Sequence, residues 1–141
     1  MKIEAITKSD AETILLSEKL GSHAKPGDVF AVTGDLGAGK TVFAKGVARG
    51  LGIRDEITSP TFTLLEVYDG NLVFYHFDLY RIEKKDEFIN LNFEEYWEAN
   101  GVSVVEWADK AEGLLPSGSI KVNIEYLSEN ERRITVEYPS A

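Results

Sequence analysis

The stretch DVFAVTGDLGAGKT occupies residues 28–41 and determines how the rest of the chain is interpreted. Its first part, Asp28–Thr33, is a short apolar run of the kind found in buried strands. The segment Thr41–Leu51, which begins with the last residue of the stretch, is typical of a helix. Between them lie three glycines followed at once by a lysine, although glycine weakens the interior of helices and strands. The sequence therefore predicts a strand, a glycine-rich loop and a helix in direct succession.

The loop matches the phosphate-binding template G-x-x-x-x-G-K-[ST] at Gly34, Gly39, Lys40 and Thr41. Glycines allow successive backbone N–H groups to face a phosphate, and the following helix adds its unpaired N–H groups and the positive end of its dipole. Lys40 would contact the β- and γ-phosphates, and the Thr41 hydroxyl would ligate Mg2+.

The alternative to a phosphate site is an ordinary glycine-rich turn before a helix. A chance match to the template is expected in well under about 1% of chains of this size, given the usual frequency of glycine. We therefore predict that the loop and the first turn of the helix bind a nucleotide. The predicted contact residues are Asp35, Leu36, Gly37, Ala38, Gly39, Lys40, Thr41 and Val42.

Two further predicted strands end in a carboxylate. Asp78 ends the run LVFYHFD, and Glu106 ends the run VSVVE. Ligands bind outside the carboxyl ends of the strands in open α/β sheets, so Thr33, Asp78 and Glu106 should face one crevice if these strands are parallel neighbours. Such an acid is often only the first solvated residue of a loop, but the nearby phosphate-binding loop favours a functional role for both carboxylates.

Three neighbouring features have both a structural and a functional interpretation. His76 shares a strand face with Asp78; we favour a hydrogen-bonded structural histidine over a proton-carrying group. Trp107 either packs in the core or lies beside the nucleotide. The loop TSPT, residues 58–61, is either an ordinary turn or a segment that orders around Mg2+ and the γ-phosphate. Its place between the helix and the next strand favours the second interpretation.

Length and composition restrict the class of protein. The chain has 141 residues, and we assign residues 1–141 to a single domain. A net charge of -9 argues against a broad nucleic-acid surface. The chain contains no cysteine, which excludes disulfides and fits a cytoplasmic location. We expect neither a membrane span nor a signal peptide, because no apolar run is long enough for the first and the N-terminal residues lack the apolar segment of the second.

The remaining pattern predicts an α/β sandwich whose central sheet mixes parallel and antiparallel strands. Candidate N-caps at Ser9 and Asp10 and an apolar stripe at Ile14–Leu16 and Leu20 predict a helix that ends at Gly21. The other predicted elements are a strand at 2–6, a hairpin of strands 62–68 and 72–78, one or two short helices in 84–100 over the aromatic cluster Phe88, Phe93, Tyr96 and Trp97, a strand at 102–106, and a closing hairpin of 119–127 and 132–138.

The stretches GDLGAGKT, SPTFT, YHFDLYR and VEW, which follow in this order between residues 34 and 107, together resemble the TsaE (YjeE) family of small bacterial ATPases. The resemblance implies a P-loop NTPase-like sandwich with a mixed central sheet flanked by helices. It also implies an ATP hydrolysis that is weak alone and depends on the partners TsaD and TsaB. With a TsaC-type enzyme, these proteins place threonylcarbamoyl on the adenosine next to the anticodon of ANN-decoding tRNAs.

The same resemblance implies roles for individual residues, with ATP and Mg2+ as cofactors. Lys40 would contact phosphate, while Thr41 and Glu106 would ligate Mg2+. Asp78 would polarise water or hold a metal-bound water, SPTFT would be a switch loop, and Trp107 would lie close to the site. The catalytic candidates are Asp78, Glu106 and Lys40. The residue that activates water stays open between Asp78, Glu106 and a group from a partner.

Two other functions use the same loop. A small-molecule kinase needs an acceptor pocket and usually an arginine-bearing lid, and residues 82–100 contain no arginine. A GTP-dependent switch would normally carry an N-K-x-D motif, which the sequence does not contain. We therefore rank both below an ATPase.

Overall fold

The computed structural model describes residues 1–35, 39–60, 63–92, 94–97 and 100–139. Within these ranges, one sheet of seven strands is flanked by helices. The strands are β1 (Lys2–Thr7), β2 (Val29–Gly34), β3 (Leu65–Tyr68), β4 (Phe74–Asp78), β5 (Val102–Glu106), β6 (Ile120–Tyr126) and β7 (Arg132–Glu137). The helices are α1 (Asp10–Ser22), α2 (Lys40–Gly50), α3 (Lys85–Asn90) and α4 (Glu94–Trp97), with a 3-10 helix at Ala108–Ala111.

The sheet has the strand order β1-β7-β6-β2-β5-β4-β3. The four central strands, β6, β2, β5 and β4, are parallel to one another. The outer strands pair antiparallel, β3 with β4 on one side and β7 with β6 and β1 on the other. The expected mixed sheet and both expected hairpins are confirmed. The loop after β2 therefore leaves from the middle of the parallel region, at its carboxyl edge.

Side chains of the central strands alternate between two cores. Phe30 of β2 packs in the core that includes α1 and α2, whereas Ala31 packs in the core that includes α3 and the 3-10 helix. All of β5 is buried, because helices cover both faces of the sheet at this point. Phe74 belongs to the first core, so the alternation of side chains places His76 and Asp78, two and four residues later, on the α2 side.

The contact between α1 and α2 is made by small residues. A Cβ atom built on Gly46 would lie 1.7 Å from Ser17 Oγ, and one on Gly21 would lie 2.4 Å from the Val47 carbonyl oxygen. The predicted apolar stripe is only partly right, since Leu15 is 65% exposed. The expected helix end at Gly21 is also wrong: α1 continues to Ser22, and Gly21 allows the close approach of α2 instead.

Several local predictions are confirmed. The Ser9 side chain accepts the Glu12 N–H at 3.1 Å and caps α1. Two short helices, α3 and α4, follow β4, and the ring centroids of Trp97 and Phe77 lie 4.9 Å apart in the aromatic cluster. Phe93 lies outside the described residues. No helix in the described parts of the chain has the length and apolar character needed to cross a membrane.

Candidate functional site

The carboxyl ends of β2, β5 and β4 lie side by side. In the register of these parallel strands, Glu106 pairs with Val32 on one side and with Asp78 on the other. Both carboxylates are buried, with Glu106 2% and Asp78 3% exposed. A buried carboxylate needs hydrogen-bond donors to offset its loss of hydration, and each of the two has them.

Thr33 does not join these carboxylates, contrary to the sequence expectation. Its hydroxyl donates to Asn123 Oδ1 at 3.1 Å, a residue of β6. Successive residues of a strand face opposite sides of the sheet, so Val32 and Thr33 of β2 cannot lie on the same side. Val32, which pairs with Glu106, lies on the α2 side, and Thr33 lies on the other.

Glu106 connects three elements of the fold. The Thr41 hydroxyl, in the first turn of α2, lies 2.9 Å from Glu106 Oε1 and 3.1 Å from Oε2. His76 Nε2, on β4, lies 2.5 Å from Glu106 Oε2. The hydrogen-bonded histidine favoured from the sequence is therefore present, and its partner is one of the two predicted functional carboxylates.

Thr41 and Glu106 have the chemistry of a Mg2+ site. Mg2+ takes oxygen ligands, and in nucleotide sites it is held by one or two protein side chains together with phosphates and water. Here a hydroxyl and a buried carboxylate face each other within hydrogen-bond distance. A divalent cation between them would replace the hydroxyl hydrogen as the partner of the carboxylate, so the residues present fit this ion.

Lys40 lies against the loop that precedes it. Its Nζ donates to the carbonyl oxygens of Gly34 and Asp35, each at 2.7 Å, and lies 4.0 Å from the centroid of the Trp107 ring. The side chain is almost fully buried, with the residue 5% exposed. Burial lowers the pKa of Lys40 from 10.5, and nearby carboxylates, Glu106 first among them, oppose this shift. A phosphate entering the loop would compete with two carbonyl groups for this ammonium.

Gly39, at the start of α2, is the described residue at this end of the glycine-rich loop. Gly39 adopts φ 106°, a left-handed conformation that side chains rarely adopt. It precedes α2, and its carbonyl accepts the N–H of Phe43 at 3.0 Å. Asp35 is exposed and Val42 is half-buried. Leu36, Gly37 and Ala38, which the sequence also assigns to the nucleotide site, lie outside the described residues.

Asp78 is tied to the TSPT loop. The Ser59 hydroxyl donates to Asp78 Oδ2 at 2.6 Å, and the Tyr80 N–H donates to Asp78 Oδ1 at 2.9 Å. The carboxylate at the end of β4 thus holds the loop between α2 and β3 close to the edge of the sheet. Thr61 and Phe62, the next residues of the predicted switch loop, lie outside the described residues.

Trp107 follows β5 with a left-handed backbone, φ 60° and ψ 42°. For a residue with a large side chain this conformation costs on the order of 1–2 kcal/mol. Its ring lies between Lys40 and Tyr80, whose ring centroid is 5.1 Å away. Trp107 therefore contacts Lys40 at the start of α2, and it also packs against the second core.

Lys110 is a neighbouring residue that sequence reasoning did not select. Its Nζ donates to the Tyr80 and Ile82 carbonyl oxygens at 2.5 and 3.1 Å, and lies 5.9 Å from the Trp107 ring centroid. It links the 3-10 helix to the segment after β4. No motif in the sequence marks it, because only the fold brings these two segments together.

Comparisons with known proteins indicate the family to which the chain belongs. The family profile described as "Threonylcarbamoyl adenosine biosynthesis protein TsaE" matches residues 7–134. A "tRNA threonylcarbamoyladenosine biosynthesis protein TsaE" of Bacillus subtilis (strain 168) is 45% identical over 130 residues, which cover 92% of this chain and 81% of that protein. The protein of the same name from Treponema pallidum (strain Nichols) is 39% identical, over 95% of this chain and 99% of its own.

A solved structure shows the same fold. The crystal structure of Bacillus subtilis YdiB superposes with a TM-score of 0.86 at 37% sequence identity, and the match covers 99% of this chain and 87% of that one. The expected P-loop NTPase-like α/β sandwich is therefore confirmed. On the profile, the relatives and the shared fold together, the chain belongs to the TsaE family, whose role is in the biosynthesis of tRNA threonylcarbamoyladenosine.

Proposed function

We propose that this protein binds ATP with Mg2+ and hydrolyses it, and that the hydrolysis supports threonylcarbamoyl modification of tRNA together with the partners TsaD and TsaB. The observation that carries the proposal is the hydrogen bond of 2.9 Å between the Thr41 hydroxyl and the Glu106 carboxylate. It supports the proposal because a hydroxyl and a carboxylate, both oxygen donors of the kind that Mg2+ prefers, face each other at the start of α2, next to Lys40.

The chain's own residues have separable roles in this proposal. The loop and the first turn of α2, residues 35–42, bind the phosphates through backbone N–H groups. Lys40 leaves the Gly34 and Asp35 carbonyls and neutralises the β- and γ-phosphates. Thr41 and Glu106 hold Mg2+, which when bound offsets the negative charge that develops on the phosphate oxygens.

Asp78 is the proposed positioning group for the attacking water. Its carboxylate lies next to Glu106 in the register of β4 and β5 and accepts the Ser59 hydroxyl. A carboxylate held in this way can orient a water molecule, or take up its proton, when the β–γ bond breaks to give ADP and phosphate. Movement of Ser59 would change the orientation of Asp78, so the TSPT loop is positioned to act as the switch.

The partner dependence is tested with purified components. Hydrolysis by the full chain is expected to be slow alone and to accelerate when TsaD and TsaB are added, while a Thr41→Val variant stays slow in both conditions. An unchanged steady-state rate in the presence of both partners would remove the partners from the proposal. A screen of nucleosides and nucleotides for phosphoryl acceptance separates the ATPase from a small-molecule kinase.

The remaining expectations agree with this function. A net charge of -9 suits a factor that binds protein partners rather than wrapping tRNA. The cytoplasmic location expected from the sequence stays a prediction.

A further inference from the structure

His76 is fully enclosed, at 0% exposure, and contacts a carboxylate of the proposed metal site. Its ring stacks on Phe74, with centroids 5.8 Å apart and an interplanar angle of 24°. We propose that His76 is a positioning residue, whose Nε2–H holds Glu106 in the orientation that ligates the cation. The inference rests on the proposed function, because it assigns a role at the same Mg2+ site.

The first argument concerns the number of donors to Glu106. The Thr41 hydroxyl lies within reach of both carboxylate oxygens but has a single hydrogen to donate. His76 Nε2 is the other donor to this carboxylate in the described part of the chain. When a cation lies between Thr41 and Glu106, the hydroxyl hydrogen no longer points at the carboxylate. His76 then remains to fix Oε2, and Oε1 stays directed at the cation.

The second argument concerns the other ring nitrogen. His76 Nδ1 is buried and has no hydrogen-bond partner among the described residues. Nε2 carries a hydrogen, since it donates to a carboxylate, and Nδ1 is left as a buried polar atom without a partner. Such an atom does not favour the folded state. Packing beside Phe74 alone would need neither ring nitrogen, whereas a donor to Glu106 needs an N–H group at the position of Nε2.

The geometry of the strands explains why a histidine on β4 can reach Glu106 on β5. His76 pairs with Val104 in the parallel register, and Glu106 lies two residues further along β5 on the same face. A long, planar side chain on β4 can therefore reach a carboxylate that lies two residues further along β5. Donors of this kind to a metal-ligating carboxylate commonly affect metal affinity by about 10- to 100-fold.

The test compares two amide replacements of His76. In His76→Gln the amide nitrogen lies close to the position of Nε2 and can still donate to Glu106, whereas in His76→Asn it reaches only the region of Nδ1. Both variants lose the ring and its packing on Phe74. A purely structural role would therefore affect both to a similar extent, and only the positioning role separates them.

The readout is the affinity of Mn2+ for the full-length protein with a non-hydrolysable ATP analogue, measured by electron paramagnetic resonance. We expect His76→Gln to stay within about threefold of the wild type and His76→Asn to lose about 10- to 100-fold. His23→Asn is the matched control, because His23 is exposed at the end of α1. Equal affinities in His76→Gln and His76→Asn, whether or not they match the wild type, would overturn the positioning role and leave the proposed function intact. Failure of the wild type to bind Mn2+ would overturn both.

A second measurement needs no His76 variant and covers the case in which His76→Asn does not fold. In the nucleotide-free wild type, nuclear magnetic resonance should show a strongly downfield Nε2–H proton on a single histidine ring. This proton should shift upfield in Glu106→Gln, because an amide oxygen is a weaker acceptor than a carboxylate. The same chemical shift in both proteins would overturn the inference.

Discussion

The hydroxyl of Thr41 lies 2.9 and 3.1 Å from the two carboxylate oxygens of Glu106, although 65 positions separate the two residues in the chain. One belongs to the first turn of α2 and the other to the last position of β5. The parallel pairing of β2 with β5 brings these ends together. The proposed metal site therefore depends on the order in which the strands pair, and not on residues that are close in the sequence.

Replacing Glu106 with glutamine should reduce ATP hydrolysis by about 100-fold, the usual cost of removing one oriented charged group. The Mg2+ concentration needed for half-maximal activity should rise, because an amide carries no negative charge. The fold should persist, since the side chains are similar in size. The measurement is steady-state hydrolysis against Mg2+ concentration, with Glu129→Gln in the exposed turn between β6 and β7 as the control. Normal turnover in Glu106→Gln would make Glu106 a simple strand-end acid.

Replacing Lys40 with alanine should weaken ATP binding by about 10- to 100-fold. A hydrogen bond to a charged group contributes about 1.5–3 kcal/mol, and each 1.4 kcal/mol corresponds to tenfold in affinity. Isothermal titration of the variant with a non-hydrolysable analogue measures this loss. Lys45→Ala, an exposed position on the same helix, is the control and should bind like the wild type. An unchanged affinity in Lys40→Ala would contradict the phosphate role.

Lys40 should also leave a signature in the pH dependence of stability. Burial lowers its pKa in the folded protein below 10.5, the value expected in the unfolded chain. Between the two pKa values the unfolded chain binds more protons, so the Lys40 contribution to the free energy of unfolding rises as the pH increases through this interval. Below the folded-state pKa the lysine is charged in both states and the full desolvation penalty applies.

The check is urea unfolding of the wild type and of Lys40→Met over a series of pH values up to 10.5, the ordinary lysine pKa. If Lys40→Met is the more stable protein at neutral pH, its advantage should shrink as the pH rises; if it is the less stable, its deficit should grow. A difference between the two proteins that is constant with pH would show that the pKa of Lys40 is not lowered.

Ser59→Ala removes the hydroxyl that donates to Asp78 at 2.6 Å. We expect kcat to fall by about tenfold, because a hydrogen bond to a charged group is lost. KM for ATP should change by less than about twofold, since the proposed phosphate contacts come from residues 35–42. Ser119→Ala, where the hydroxyl donates to the Pro116 carbonyl, is the control. A kcat equal to that of the wild type would separate the TSPT loop from catalysis.

The contact between α1 and α2 predicts a clear stability effect. A Cβ atom on Gly46 would lie 1.7 Å from Ser17 Oγ and 2.7 Å from the Ile14 carbonyl oxygen. Gly46→Ala should therefore reduce the free energy of unfolding by about 1–3 kcal/mol, the usual cost of overpacking. Gly118→Ala is the control, because nothing lies within 4 Å of its Cβ position. Chemical denaturation of both variants measures the difference, and equal stabilities would contradict the packing described for α1 and α2.

The sequence predicted those parts of the fold that depend on local chemistry. The glycine pattern predicted the strand, loop and helix around Lys40, because glycine and lysine at fixed spacing have few other uses. The apolar runs that end in Asp78 and Glu106 predicted two strands whose carboxylates would meet if the strands were parallel neighbours, as they are. The alternation of side chains along a strand also placed His76 and Asp78 correctly on one face.

Other features could not be predicted, for physical reasons. The residues of α1 that lie against α2 include Ser17 and Gly21, which a hydrophobic pattern does not detect because close approach of backbones needs small side chains rather than apolar ones. The position of β6 beside β2 depends on long-range pairing. The contact of His76 with Glu106 joins residues on separate strands, and no local spacing encodes it.

The glycine-mediated contact of α1 with α2 has a mechanical consequence. The close backbone contacts involve Gly46, Val47 and Gly50, in the second half of α2, so this half of the helix is held against α1. A partner protein that controls nucleotide turnover is therefore not expected to act by shifting this half of α2 along α1. Lys40 and Thr41 lie at the other end of α2, and a partner that acts there, or through the hydrogen bond between Ser59 and Asp78, would leave the helix contact undisturbed.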